Sequence, residues 1–145
     1  MVIRKQKARE LAMQVMYLWD NQGAADMEMA RCFIEDSTDD AIIRREALAL
    51  AEAAWEQRHS ADRWVQRLAP EWPPHRQPAV DRNLLRLAVF EMINTPTPPR
   101  VVIDQAIRMA KTFSTEQSAS FVNGVLDAIL KEHRSLTAGQ EPGTC

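Results

Sequence analysis

Four cations stand at the head of the chain, Arg4, Lys5, Lys7 and Arg9, with no acid among the first nine residues. Accessible cations without acidic partners neutralise phosphates, so this segment is suited to an anionic strand. The whole chain carries a net charge of −2, so it is no polycation that coats bulk nucleic acid. On charge alone, the plainer reading of the segment is a solvated basic terminus. Tyr17 adds a chemical reason to look further. At 100° per residue it projects away from the apolar face of the first helix, where a ring beside cations offers a stacking platform for an unpaired base. Packing against a second bundle explains the ring equally well. Far along the chain, Ser114, Thr115, Gln117, Ser118 and Ser120 surround the start of the last helix, where backbone N–H groups and the helix dipole favour a phosphate. Lys111 lies one turn earlier. Phe121 sits at the edge of the apolar stripe, where pattern favours core over a second stacking ring.

No catalytic constellation competes with this. His59, His75 and His133 are scattered, and none has a second His or a Cys at ligand spacing, so neither a metal site nor a cofactor is expected. The acid pairs Asp39/Asp40 and Glu52/Glu56 fall at helix starts or on solvated faces, where capping and solubility explain them better than proton transfer. Cys32 and Cys145 form no disulfide framework. No signal-like segment opens the chain and no apolar run is long enough to cross a bilayer, so a cytoplasmic non-enzyme is expected.

The elements that must position these residues are helices. Good helix formers dominate, there are only four glycines, and β-branched runs are short, which predicts an all-α protein of about seven helices. The first runs from about Lys5 to Gln22 and stops at Gly23. Its inward face gathers Ala8, Leu11, Ala12, Val15, Leu18 and Trp19. Arg4 projects onto that face too, and a charge is not readily buried, so the first residues are expected to overhang as an arm. Met13 and Tyr17 project the other way; with Met16 they form an apolar patch that a homodimer would cover. Asp26 to Glu35 reads as a second helix with Met29, Cys32 and Phe33 inward. Ser37 to Asp40 caps a third, which continues to Trp55, and about Ser60 to Ala69 is a fourth.

Pro70, Pro73, Pro74 and Pro78 then mark a boundary between two halves. The fifth helix, about Ala79 to Ile93, is apolar on nearly all sides and belongs at a centre, which calls for a buried partner for Glu91. Pro98 and Pro99 open the sixth. Ser114 and Gln117 have the spacing of a capping box for the seventh, which ends after His133. Gly124 falls within it, away from the apolar stripe, at a cost of roughly 1 kcal/mol against Ala; a neighbouring helix or a ligand is expected to pass close by. Residues 137–145 have no periodicity and are expected to be a disordered tail.

These same stretches resemble a known family. Lys7-Ala8-Arg9-Glu10 with Gln14, Tyr17 and Trp19 is similar to the first helix of the transcription antitermination factor NusB. Val80 to Glu91 resembles its central helix, and Val102 to Ile107, Ala110 to Phe113 and Phe121 to Asp127 resemble its last two. The likeness covers residues 4–22 and about 78–131. It implies one domain over residues 1–136, made of two small packed helical bundles (about 1–72 and 78–134). It implies binding of boxA RNA in ribosomal RNA leaders, a heterodimer with the small-subunit ribosomal protein NusE, and a place in the antitermination complex of RNA polymerase.

By the same resemblance Lys5, Lys7 and Arg9 match the basic arm, Tyr17 and Phe121 match RNA-facing aromatics, and Asp81 matches an acidic position at the ribosomal-protein interface. Gln6 interrupts a basic run that is often continuous, which points to weaker RNA binding. Gln117 replaces an acid found in some relatives, which points the other way. The alternative from another class is a helical protein–protein adaptor with no direct role in RNA binding. A third, the similar domain fused to certain rRNA cytosine methyltransferases, leaves no room in this chain for a catalytic domain.

Overall fold

Asp26 and Asp40 end two chain reversals by folding their carboxylates back onto the backbone. Asp26 accepts from Met29 N–H at 3.1 Å, and Asp40 accepts from Ile42 N–H at 2.9 Å and Ile43 N–H at 3.2 Å. They start α2 (Met27–Ser37) and α3 (Ala41–Glu56), which follow α1 (Val2–Gln22). Gly23 ends α1 with φ +81°, a conformation that suits glycine, and its N–H reaches the Trp19 carbonyl at 2.8 Å. Then come α4 (Arg58–Leu68), a single 3-10 turn at Pro74–Arg76, α5 (Ala79–Asn94), α6 (Pro99–Phe113) and α7 (Glu116–Ala138). The structure is a computed structural model and describes the backbone of residues 2–138 and the side chains of residues 4–137. Among the described residues there are seven α-helices and no strand, as the composition implies.

The apolar run in α5 does what its all-round pattern requires. Residues 83–89 are buried without a break, and α1, α3, α4, α6 and α7 all pack around it. Two clasps set its direction. At its end, Arg9 of α1 donates to Glu91; at its start, Asp20 of α1 accepts from Arg82 at 2.8 Å and Asn83 at 2.9 Å. So α1 and α5 run antiparallel. Asp40 lies by Arg4, and Trp55 meets Trp19 edge to face at 5.6 Å, so α3 runs parallel to α1. One continuous apolar cluster draws residues from all seven helices.

Several expectations change here. The N-terminal residues are a continuation of α1, not a separate arm: the helix already begins at Val2. Met13 and Met16 are fully buried, 1% and 0% exposed, because α1 is covered on the side that periodicity left open. Burial of each contributes about 1.5–3 kcal/mol, and it takes both methionines out of the apolar patch argued to hold a homodimer together, leaving only half-buried Tyr17. Cys32, expected inward, is exposed; Ala30 and Ile34 take the core positions of α2 instead. Helix α7 continues through Ala138, so residues 137 and 138, expected in a disordered tail, are helical. The remainder of that expected tail, residues 139–145 with Cys145, lies outside the described residues.

Candidate nucleic-acid interface

Arg9, expected to meet phosphate, is 3% exposed. Its Nε lies 2.8 Å from Glu91 Oε2 and 3.1 Å from Oε1, with both side chains almost fully enclosed. This pair supplies the partner that Glu91 required, and it corrects the assignment of Arg9: the guanidinium is consumed in holding α1 on α5, and the residue shows only 3% of its surface, at the wall of the groove beside Arg4 and Lys5. The other cations differ. Arg4 is exposed and donates to Asp40 at 3.0 Å, and Lys5 is exposed with Nζ 3.9 Å from Glu46. Exposed pairs of this kind are worth little and give way readily to a phosphate. The Ile43 N–H, ahead of the Ile42 N–H and the nearby Arg4, holds the Asp40 carboxyl below its ordinary value against a desolvation penalty. Lys7 is half-buried and has no carboxylate within ion-pair distance among the described residues.

Asp81 also needs correction. Expected at a partner surface, it is 2% exposed. Its Oδ2 accepts the Ser118 hydroxyl at 2.7 Å, and Ser118 Oγ in turn accepts from Ser114 at 2.9 Å and Thr115 at 3.1 Å. Oδ1 is buried without a hydrogen-bond partner among the described residues. Asp81 therefore pins the opening of α7 to the start of α5. The cap itself is Thr115, whose Oγ1 accepts from Ser118 N–H at 3.0 Å, one residue later than the Ser114/Gln117 spacing suggests. Gln117 is left exposed beside Glu116, and Lys111 is exposed on the last turn of α6.

These clasps locate the site. Ser118 meets the start of α5 and Arg9 meets its end, so the opening of α7 and the basic residues of α1 stand toward opposite ends of that helix. The ten helical steps from Asp81 to Glu91 alone span roughly 15 Å. Tyr17, half-buried and one turn before Asp20, lies toward the α7 end, and so does Phe121, one turn past Ser118. Helix α6 bridges the ends. Its start shares a groove of about 540 Å3 with Arg4, Lys5, Ile42 and Glu46, where Pro98 and Val101 form the opposite lip. Its end delivers Lys111 to α7. Arg108, exposed on the same outward side as Val101, lies between, with Asp104 beside it. The cations and aromatics are thus spread along the molecule and do not form one compact cradle.

Phe121 does not enter the core. It is half-buried against Trp72, ring centroids 4.7 Å apart and 44° between planes. Trp72 is 40% exposed and escaped the sequence reading because it falls in the proline-rich stretch, outside any helical periodicity. Arg108 escaped it because a lone arginine on a solvated helix face carries no pattern. Gly124 is exposed, and a Cβ built there meets nothing within 4 Å, so no neighbouring helix among the described residues explains it. Among the described residues no cluster of His, Cys, Asp or Glu is fit to hold a metal ion. Among the described residues no helix is long and apolar enough to cross a membrane.

The family model described as the NusB family matches residues 6–131. A transcription antitermination protein NusB from Solibacter usitatus is 37% identical over 130 residues, covering 88% of this chain and 89% of the relative. One from Desulforapulum autotrophicum is 38% identical, covering 86% and 90%. Among solved structures, the antitermination factors NusB and NusE in complex with dsRNA match at TM-score 0.82 and 28% identity, covering 91% of this chain and 99% of that one. NusB of T. maritima matches at 0.75 and 30% identity, covering 88% and 90%.

Proposed function

The chain belongs to the NusB family of transcription antitermination proteins, which are not enzymes, and on that premise we propose that it binds a boxA-type single strand of RNA together with ribosomal protein NusE in the cytoplasm. There it serves the antitermination complex of RNA polymerase on ribosomal RNA leaders. The observation that carries the reading is the likeness, over nearly the whole chain, to a NusB solved with NusE and double-stranded RNA. The preference for a single strand rests on the half-buried rings of Tyr17 and Phe121, since only unpaired bases offer their faces for stacking. Arg4, Lys5, Lys7 and Lys111 supply phosphate contacts along the surface that α6 bridges, and Gln117 offers an amide at the opening of α7. Arg9 and Asp81 support this surface from inside.

The test is a titration of labelled boxA RNA, with and without NusE, at several salt concentrations. Affinity is expected to fall with salt by a log–log slope of about −0.7 per neutralised phosphate. Replacing Lys5 and Lys7 by Ala reduces the slope by about 1.4 if each meets one phosphate. An unchanged slope removes these lysines from the interface. Tight NusE binding with no RNA affinity under any condition identifies an adaptor instead.

A further inference from the structure

Trp72 is the one aromatic among the large apolar side chains that the described surface leaves exposed. Its backbone is nonetheless held firmly. The N–H donates to the Ala69 carbonyl at 3.0 Å, the carbonyl accepts from Gln77 Nε2 at 3.1 Å, and the indole Nε1 donates to the Arg76 carbonyl at 3.3 Å. Pro70, Pro73 and Pro74 stiffen the chain on either side. A ring this large gains most from burial, so an exposed one whose orientation is fixed by hydrogen bonds is pre-organised for something outside the chain. It leans on Phe121, and Arg76 and His75 stand exposed just beyond it, with Glu71 the one acid beside it in sequence. Two tilted rings, with an exposed arginine four residues on that has no ion pair among the described residues, match the needs of a nucleotide: a π surface for the base and a cation for the phosphate.

We propose that Trp72 is a base-stacking residue, forming with Phe121 a two-ring wall against which one unpaired base seats while Arg76 meets the adjoining phosphate. This rests on the RNA-binding reading above and extends its surface beyond α1 and α7 to the segment between α4 and α5.

The experiment compares the full chain with Trp72→Leu and Trp72→Phe, using a boxA single strand and an oligonucleotide of equal length whose bases are replaced by abasic sites. Circular dichroism and thermal unfolding verify that each variant is folded. Trp72→Leu weakens boxA binding by about 5- to 150-fold, the range of one base–aromatic stack. Trp72→Phe keeps affinity within about threefold, and the abasic strand binds all three proteins alike. Tryptophan emission of the wild-type protein is quenched on adding boxA RNA, and Trp72→Phe loses that quench. Equal boxA affinity for wild type and Trp72→Leu overturns the proposal, as does a Trp72→Phe loss as large as that of Leu. A Trp72→Leu variant that loses NusE but retains RNA makes the ring a protein contact and overturns it too. Failure of the wild-type protein to bind boxA RNA overturns the RNA reading itself, and this inference with it.

Discussion

Arg9 illustrates how one residue type serves opposite ends. Read along the chain it belongs to a run of cations; in the fold it is a buried ion with a single partner. Removing one member of such a pair strands the other in a low-dielectric interior, which costs more than the pair itself contributes. Arg9→Ala is therefore expected to destabilise the protein by about 3–5 kcal/mol. Arg9→Leu combined with Glu91→Leu recovers most of that loss, and urea unfolding of the single and double variants measures both. Were the single replacement nearly neutral, the clasp would have no structural role. Asp81 carries a related lesson. An acid in the first turn of a helix has the pattern of a solvated dipole partner, and nothing local distinguishes it from one that accepts a hydroxyl from a helix 37 residues away. Sequence carried the need of Glu91 for a partner, because an acid amid an apolar run demands one; it did not carry the identity of that partner, 82 residues distant.

Among the helices, legibility followed periodicity. Helix α5 was readable because nearly every position is apolar, and the cap of α3 because a run of Ser, Thr and Asp before a helix has one main use. Helix α1 was half-read: Lys, Arg, Glu and Gln interrupt it, so the burial of Met13 and Met16 by flanking helices left no stripe to recognise. Helix α7 poses the converse problem. Gly124 weakens it by roughly 1 kcal/mol relative to Ala and serves no packing need within the chain. Gly124→Ala should raise the melting temperature of the free protein by about 3 °C. The same variant should weaken the complex with RNA and NusE if the added methyl occupies space that a partner takes on binding. Thermal unfolding and titration on the same sample measure the two effects. A methyl that raises stability and leaves binding untouched would deny the glycine any part in recognition.

At the scale of the molecule, one electrostatic junction ties α1, α4 and α5 together. Asp20 of α1 meets Arg82, Asn83 and Arg86 of α5, and Arg86 also holds Asp62 of α4 at 2.8 Å. Burial works against the Asp20 charge, but the hydrogen bonds from Arg82 and Asn83 and the charges of Arg86 and Arg82 outweigh it, so the carboxyl titrates below its ordinary 3.8. For Arg86, burial favours the neutral form and is outweighed by Asp62 and Asp20, which raise its pKa. A lowered carboxylate pKa contributes stability that is fully present above the unfolded value and is lost as pH falls through the folded one. Acidification below about 3.8 is thus expected to destabilise the wild-type protein more steeply than Asp20→Asn, which begins less stable but has no charge to lose there. Denaturant midpoints across that interval give the comparison; parallel curves would remove Asp20 from acid unfolding. The Arg9–Glu91 clasp has a further consequence for the newborn chain. During synthesis the first helix leaves the ribosome with the Arg9 guanidinium still in water, and the carboxylate that accompanies it into the interior is some eighty codons from being translated. Until residue 91 clears the ribosome the leading half has no settled resting place for that charge, so native packing of the nascent polypeptide must await the arrival of its fifth helix.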